Sequence, residues 1–272
     1  MKIRVVSAVI AAALLIATYF VWEIKGLYAI CSLIAIGCAF EYARLAFPTL
    51  RAPALLQWLF VLLCSACYFV FAFAPAASVG AIGVAAVVFC SMTVMTIPSV
   101  REVAAMLQSR LQIQGAAVLG FAYCGLFPAL AVRSLELERG QVWLFGLLAI
   151  VFSGDTFAYL VGRAMGRTKL LESVSPKKTV EGSMGGLVGS GVAGAILGLF
   201  FLTEYPLWAM ILLALATGAF AQVGDLFESL IKRVADVKDS GRIMPGHGGF
   251  LDRVDGVIFA APIYFVLARF LI

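Results

Sequence analysis

The residue types best suited to chemistry are concentrated between positions 224 and 256. Asp225, Ser229 and Lys232 are spaced i, i+4 and i+7, so they share one face of a helix. Asp252 and Asp255 follow at i and i+3 in what the pattern predicts to be the first turn of the next helix. These carboxylates could simply form a helix salt bridge and complement a helix dipole. Brought together, they would instead form a hard-oxygen site suited to magnesium.

A turn rich in glycine separates the two predicted helices. Pro245-Gly246-His247-Gly248-Gly249 cannot continue a helix. Its glycines leave backbone N–H groups free to point at an anionic ligand. His247 is the only histidine of the chain, and we interpret it as a contact to substrate or as a residue that orders the turn.

Composition decides what kind of element positions these residues. The chain has 272 residues, of which 63% are hydrophobic and 13% charged, and its mean hydropathy is +1.04. Soluble domains are about 45–50% apolar and about 25% charged. A water-soluble core is therefore excluded, and an all-α polytopic membrane protein is predicted. A span of about 20 residues is needed to cross the bilayer.

The apolar pattern predicts nine transmembrane helices. We expect residues 1–135 to hold spans one to five, and residues 136–272 to form a catalytic region with cytoplasmic loops at 163–182 and 227–253. None of the connections has the pattern of a strand hairpin. The nine segments lie near 3–22, 26–46, 54–74, 78–98, 114–132, 141–162, 183–203, 206–226 and 254–272.

Basic residues set the expected orientation, because cytoplasmic loops carry an excess of Lys and Arg. With the N-terminus in the cytoplasm and the C-terminus outside, 16 of the 20 basic residues fall on the inner side. Lys25, Arg133 and Arg139 fall outside, and Arg269 lies near the end of the last span. Both long polar loops are then cytoplasmic, which places the expected active site at the cytoplasmic interface.

Three features inside the predicted spans have competing explanations. Asp155 lies just inside the sixth span, where a carboxylate is costly and usually functional, so it is a secondary metal or substrate candidate. Glu41 in the second span is similar, but Arg44 one turn later offers a plain salt bridge, which we prefer. The seventh span carries small residues at four-residue spacing, which suits close helix packing inside or between subunits: Gly186, Ser190, Gly194 and Gly198.

Three segments of the C-terminal half combine charged residues with Gly and Pro at specific spacings. They are Asp155-Thr156-x-Ala158-Tyr159-x-x-Gly162-Arg163; Ser175-Pro176-Lys177-Lys178-Thr179-x-Glu181-Gly182; and Ser229-x-x-Lys232-Arg233, then Lys238-Asp239-x-Gly241 and Pro245-x-His247-Gly248-Gly249-x-x-Asp252-Arg253-x-Asp255. These segments resemble phosphatidate cytidylyltransferases, also called CDP-diacylglycerol synthases. The C-terminal motif shows no departure from the family pattern, and the similarity covers about the last 120 residues.

The resemblance implies transfer of CMP from CTP to phosphatidate, giving CDP-diacylglycerol and pyrophosphate in phospholipid synthesis. It implies Mg²⁺ as cofactor, with one metal ion or two, and a homodimer among membrane lipids. Nucleic acid is not expected as a partner. Short loops and the absence of organelle-targeting features favour a bacterial cytoplasmic membrane.

Roles for individual residues follow from the resemblance. The expected metal ligands are Asp225, Asp252 and Asp255, with Asp155 secondary. Lys232, Arg233, Lys238 and Arg253 would neutralise phosphate charge, and Asp225, Lys232, Asp252 and Arg253 form the expected catalytic set. Further substrate contacts are expected from Ser175, Lys177, Lys178, Thr179, Ser229, His247, Gly248 and Gly249.

Two other functions are alternatives to this one. A CTP-dependent polyprenol or phytol kinase would pass the terminal phosphate to a lipid alcohol, and the complete motif between 229 and 255 argues against it. A transporter would show paired halves and a site near the bilayer midplane. The halves of this chain are unlike, and its charge is concentrated at one interface.

Overall fold

A computed structural model describes residues 2–96, 104–241 and 248–271 of the chain. Side chains are described from residue 17 onward within these ranges, except at 78–79 and 104–107. His247 lies outside the described residues, so its expected role stays a prediction. The helices are α1 Lys2–Thr49, α2 Ala54–Phe73, α3 Ser78–Met95, α4 Ala104–Gly120, α5 Phe127–Arg133, α6 Gly140–Met165, α7 Val180–Phe200, α8 Leu207–Val234 and α9 Leu251–Leu271.

Seven helical segments within the described ranges are long and apolar enough to cross a membrane, and a shorter apolar helix covers Gly80–Met95. In lipid the backbone must satisfy its own hydrogen bonds, which helices achieve. The chain is therefore a helical integral membrane protein. The seven segments are Ala17–Thr49, Ala54–Phe73, Gln108–Glu136, Gly140–Met165, Val180–Phe200, Leu207–Val234 and Leu251–Leu271.

The first two predicted spans both lie within α1, which is broken at Glu23. The backbone there has φ 50° and ψ −137°, outside the helical region. Residues eight apart in an unbroken helix are separated by about 12 Å. Gly26 instead approaches Thr18 so closely that an added Cβ would lie 2.5 Å from the Thr18 carbonyl oxygen. The chain thus bends sharply at Glu23, and α1 consists of two helical arms.

A short strand hairpin lies between α6 and α7, and here the sequence-based expectation was wrong. β1 (Lys169–Leu171) pairs antiparallel with β2 (Ser175–Thr179), with Lys169 opposite Thr179 and Leu171 opposite Ser175. The strands pair with each other and pack little apolar surface. They therefore lack the apolar alternation by which strands are normally recognised.

The chain divides into two compact units. The first contains Met1–Ala129 and Val234–Arg253, and the second contains Leu130–Arg233 and Val254–Ile272. In the first unit, aromatic rings from α1, α2, α3 and the π-helical turn Phe121–Leu126 pack together. The ring centroids of Phe47 and Phe60 lie 5.0 Å apart, and those of Phe60 and Phe121 lie 5.3 Å apart.

The small-residue face of α7 packs inside the second unit. Ser190 donates a hydrogen bond to the Ile150 carbonyl of α6 at 3.1 Å. A Cβ added at Gly194 would lie 2.3 Å from the Ala214 side chain of α8. This face of α7 therefore packs inside the subunit. The sequence had left open whether it packs inside a subunit or between subunits.

Candidate active site

A cluster of charged side chains lies in the second unit where β2 meets α8. The Lys178 Nζ lies 2.6 Å from Asp225 Oδ2, and the Ser229 hydroxyl donates to Asp225 Oδ1 at 3.4 Å. Both members of the ion pair keep part of their surface exposed, at 25% for Lys178 and 37% for Asp225. Asp225 and Ser229, which are spaced i and i+4, therefore share one face of α8, as predicted.

Two further carboxylates lie close enough to Asp225 to repel it electrostatically. Asp155 of α6 and Asp255 of α9 each interact with Asp225, and they interact with each other. Asp255 Oδ1 also accepts the Gly256 N–H at 2.8 Å. Three carboxylates therefore repel one another at this point, and they outnumber the lysines beside them. Such a position favours binding of a cation.

Lys232 belongs to the same region, two turns beyond Asp225 on α8. It forms an ion pair with Glu228, whose side chain is fully buried, and it attracts Asp255 electrostatically. A buried carboxylate is stable only with a partner. Glu228 therefore orients Lys232, a role that the sequence analysis did not assign because i, i+4 charge pairs are common on ordinary helices.

The hairpin is attached to its neighbours by polar contacts. Glu181 of α7 accepts the backbone N–H groups of Arg167 at 3.0 Å and Thr168 at 3.2 Å. Arg233 of α8 donates from Nε to the Val174 carbonyl at 3.2 Å. Thr179 Oγ1 accepts the Gly182 N–H at 3.1 Å and so caps α7. Thr179 and Arg233, expected to contact phosphate, are thus engaged with protein groups here.

Within the first unit, Asp252 holds the chain around the start of α9. Its Oδ2 accepts hydrogen bonds of 2.8 Å from the backbone N–H and hydroxyl of Ser240 and from the Gly249 N–H. Gly248 has φ +81°, a conformation that favours glycine. A Cβ there would lie 2.4 Å from Asp252 Oδ2. Asp252 therefore has a structural role in its unit, and metal binding by it stays a prediction.

Glu41 does not form the expected salt bridge with Arg44. Its side chain, only 2% exposed, accepts the N–H groups of Phe250 at 3.0 Å and Leu251 at 2.9 Å and the Ser240 hydroxyl at 2.9 Å. Arg44 instead lies over the Phe40 ring, 5.6 Å from its centroid. A carboxylate in an apolar span was the sign in the sequence that Glu41 needs a partner. Spacing did not identify the partners, because they lie about 200 residues away along the chain.

The other predicted site residues are solvent-accessible. The structure places Lys177, Lys238 and Arg253 at the exposed surface, and Ser175 begins β2 partly buried. The exposed side chains of Lys177 and Lys238 can reorient toward a phosphate ligand.

The chemistry of the donors suits magnesium, although they do not form a complete metal cage. In the described parts of the chain, no group of three or more His, Cys, Asp or Glu side chains is arranged to hold a metal ion. Mg²⁺ usually needs only one or two carboxylates and takes its remaining ligands from water and substrate phosphates. Asp225 together with Asp155 or Asp255 fits that requirement.

Comparison with known proteins decides the family. The family model described as "Cytidylyltransferase family" matches residues 2–271. This chain belongs to the cytidylyltransferase family. The resemblance found in the three C-terminal segments is therefore confirmed, and the match extends over the N-terminal helices, where no motif was recognised.

This cytidylyltransferase-family chain is similar to several bacterial proteins named phosphatidate cytidylyltransferase. It is 44% identical to that of Bacillus subtilis (strain 168) over 140 residues, 51% of this chain and 52% of the relative. For the Synechocystis protein the identity is 42% over 147 residues, 53% of this chain and 49% of the relative. For the Brucella abortus protein it is 42% over 153 residues, 54% and 56% of the two chains. The chain thus spans about half the length of the relatives it matches.

Proposed function

We propose that this chain transfers CMP from CTP to phosphatidate, forming CDP-diacylglycerol and pyrophosphate. The observation that carries the proposal is the charged cluster in which Lys178 contacts Asp225, beside Asp155 and Asp255. The cluster provides both signs of charge, as a nucleotide triphosphate with its cation requires. The names of the relatives support the choice of substrates.

The reaction needs no strong general base. An oxygen of the phosphatidate phosphate attacks the α-phosphorus of CTP, and the bond from that phosphorus to the bridging oxygen breaks, so pyrophosphate leaves. The second ionisation of a phosphomonoester has a pKa of about 6, so the nucleophile is already largely ionised at neutral pH. Alignment and neutralisation of charge are what the protein must supply.

Residues of the candidate site can supply both the alignment and the neutralisation of charge. Asp225, with Asp155 and Asp255, would hold Mg²⁺, and Asp252 is kept as a further proposed ligand. Bound Mg²⁺ would neutralise charge on the phosphate oxygens. Lys178 and Lys232 would contact the phosphates directly, with Lys232 oriented by Glu228. Lys177, Lys238 and Arg253 would add contacts from the exposed surface.

The proposed setting is a bacterial cytoplasmic membrane with nine spans, the N-terminus inside and the C-terminus outside. Two supports are the excess of basic residues on one side and the break in α1 at Glu23, which divides it into two helical arms. The site would then face cytosolic CTP. A homodimer is also proposed, on family resemblance; the small face of α7 is not its interface, because α6 and α8 cover it.

The test uses purified protein in detergent with phosphatidate, Mg²⁺ and CTP labelled in the base or in the γ-phosphate. We expect base label in the lipid fraction, an equal amount of pyrophosphate, and loss of both with EDTA. Gamma-phosphate label in a lipid alcohol would overturn the proposal in favour of a kinase. Absence of turnover with either label, in folded protein that moves a solute across vesicles, would favour a transporter.

A further inference from the structure

Glu41 contacts the chain both before and after residues 242–247. Its Oε2 accepts from the Ser240 hydroxyl, before this segment, and from the Leu251 N–H, after it. Its Oε1 accepts the Phe250 N–H. Phe250 and Leu251 lie at the start of α9, where backbone N–H groups have no partner within the helix. One buried carboxylate of α1 thus satisfies two of these donors. It also links the chain at Ser240 to the start of α9.

The fit around this carboxylate is close. A Cβ added at Gly241 would lie 2.4 Å from Glu41 Oε1, and one added at Gly249 would lie 2.2 Å from Oε2. Both distances are far below a normal contact, so the backbone at Gly241 and at Gly249 packs directly against the carboxylate. The two glycines of the C-terminal motif therefore have a physical explanation in Glu41, which lies outside that motif.

Ser240 joins Glu41 to Asp252. Its hydroxyl lies 2.9 Å from Glu41 Oε2 and 2.8 Å from Asp252 Oδ2. A hydroxyl carries one hydrogen and so can donate to only one of the two carboxylates at a time. Asp252 also accepts the Ser240 and Gly249 N–H groups. A change at Glu41 therefore reaches Asp252 through a shared hydroxyl and a shared stretch of backbone.

We propose that Glu41 is a positioning residue for this enzyme: it sets the start of α9 and the placement of Asp252 and Arg253. This inference rests on the proposed cytidylyltransferase reaction. In the described residues, no Lys or Arg lies within ion-pair distance of Glu41. Its charge is compensated by two backbone N–H donors, by the Ser240 hydroxyl that it shares with Asp252, and by the positive end of α9. Its contribution is alignment, and small displacements at a reacting centre can reduce turnover about 100-fold.

The experiment compares Glu41→Gln with Arg44→Ala as the matched control on the same helix. Gln keeps the shape but replaces one accepting oxygen with an NH₂ group that faces N–H donors. We expect Glu41→Gln to lower kcat by about 10- to 100-fold. We also expect the amides of Phe250 and Leu251 to exchange hydrogen about tenfold faster, read by mass spectrometry without any substrate or metal. Arg44→Ala should change neither quantity.

A second variant keeps the proposal testable if Glu41→Gln does not fold. Ser240→Ala removes only the hydroxyl shared by Glu41 and Asp252, and leaves the Glu41 contacts to Phe250 and Leu251. We expect it to lower kcat by about three- to tenfold while those two amides stay protected. Unchanged kcat in folded Ser240→Ala would overturn the proposal.

The outcomes separate this proposal from the proposed function. Wild-type kcat in folded Glu41→Gln, or unchanged exchange at Phe250 and Leu251, would overturn the positioning role. An equal loss in Arg44→Ala would do the same and would restore the salt-bridge explanation. If the wild-type protein transfers no CMP, the proposed function fails, and the amide exchange still shows whether Glu41 holds the start of α9.

Discussion

Carboxylates of this chain have different roles, although they are chemically alike. Asp225 is partly exposed, contacts Lys178 and lies beside Asp155 and Asp255, so it is available to a ligand. Glu41 is buried and its oxygens are occupied by hydrogen bonds to the chain. Residue type alone does not separate these tasks. Exposure and partners do.

Asp225→Asn tests the central carboxylate of the cluster. The change preserves size but removes the charge that binds Lys178 and would bind Mg²⁺, so we expect kcat/KM for CMP transfer to fall by about 100-fold or more. Steady-state assays over a Mg²⁺ series give the measurement. Asp236→Asn is the matched control, because Asp236 is exposed and its φ of 52° suits Asn equally well. If the two variants were equally active, Asp225 would not be part of the active site.

At the level of elements, the hairpin is the clearest case of a segment held by specific polar contacts. Glu181 accepts the N–H groups of Arg167 and Thr168, and Arg233 binds the Val174 carbonyl. These contacts fix β2, which carries Lys178 to Asp225. The loop between α6 and α7 is therefore a structured part of the site.

Glu181→Gln should loosen this hairpin. One of the two accepting oxygens becomes an NH₂ group, so we expect faster amide exchange at Arg167 and Thr168 and faster tryptic cleavage after Lys169 and Lys178. Hydrogen exchange of the 166–179 peptide gives the measurement. Glu172→Gln, in the exposed turn of the same hairpin, is the control. A hairpin equally protected in both variants would show that Glu181 does not hold it.

The packing of α7 gives a second prediction at this scale. An alanine at Gly194 would place its Cβ 2.3 Å from the Ala214 side chain and 2.8 Å from the Met210 carbonyl oxygen. We expect Gly194→Ala to lower the free energy of unfolding by about 1–3 kcal/mol, measured as a shift of the thermal midpoint in detergent. Gly83→Ala on α3 is the control, since nothing lies within 4 Å of its added Cβ. There the better helix propensity of Ala should leave the midpoint unchanged or raise it slightly.

For the whole molecule, the distribution of charge predicts which surface faces the cytoplasm. In intact bacterial cells, a membrane-impermeant maleimide should label Lys25→Cys, whose position is exposed just after the break at Glu23. Lys177→Cys on β2 should be labelled only after the cells are opened. The parent protein with its native cysteines gives the background. Labelling of Lys177→Cys in intact cells would contradict the proposed orientation.

Much of the membrane architecture follows from sequence, because the bilayer imposes a simple rule. Apolar stretches of about 20 residues must be helical, since lipid offers no hydrogen-bond partners to the backbone. Four helices begin and end within three residues of a predicted segment: α2, α6, α7 and α9. Helix α8 begins one residue after its predicted segment and extends beyond the predicted end. The expected grouping of Asp225 with Ser229 also needed only helical periodicity.

The sequence by itself determined a helical membrane protein of this family and the segments that carry its chemistry, because both depend on local composition and spacing. Only the tertiary structure decided the partners of those residues. Glu41 meets Ser240 and Leu251 across about 200 positions. Arg233 donates to the Val174 carbonyl, which lies 59 positions earlier in the chain. Such contacts depend on how distant helices pack, and spacing along the chain does not encode that information.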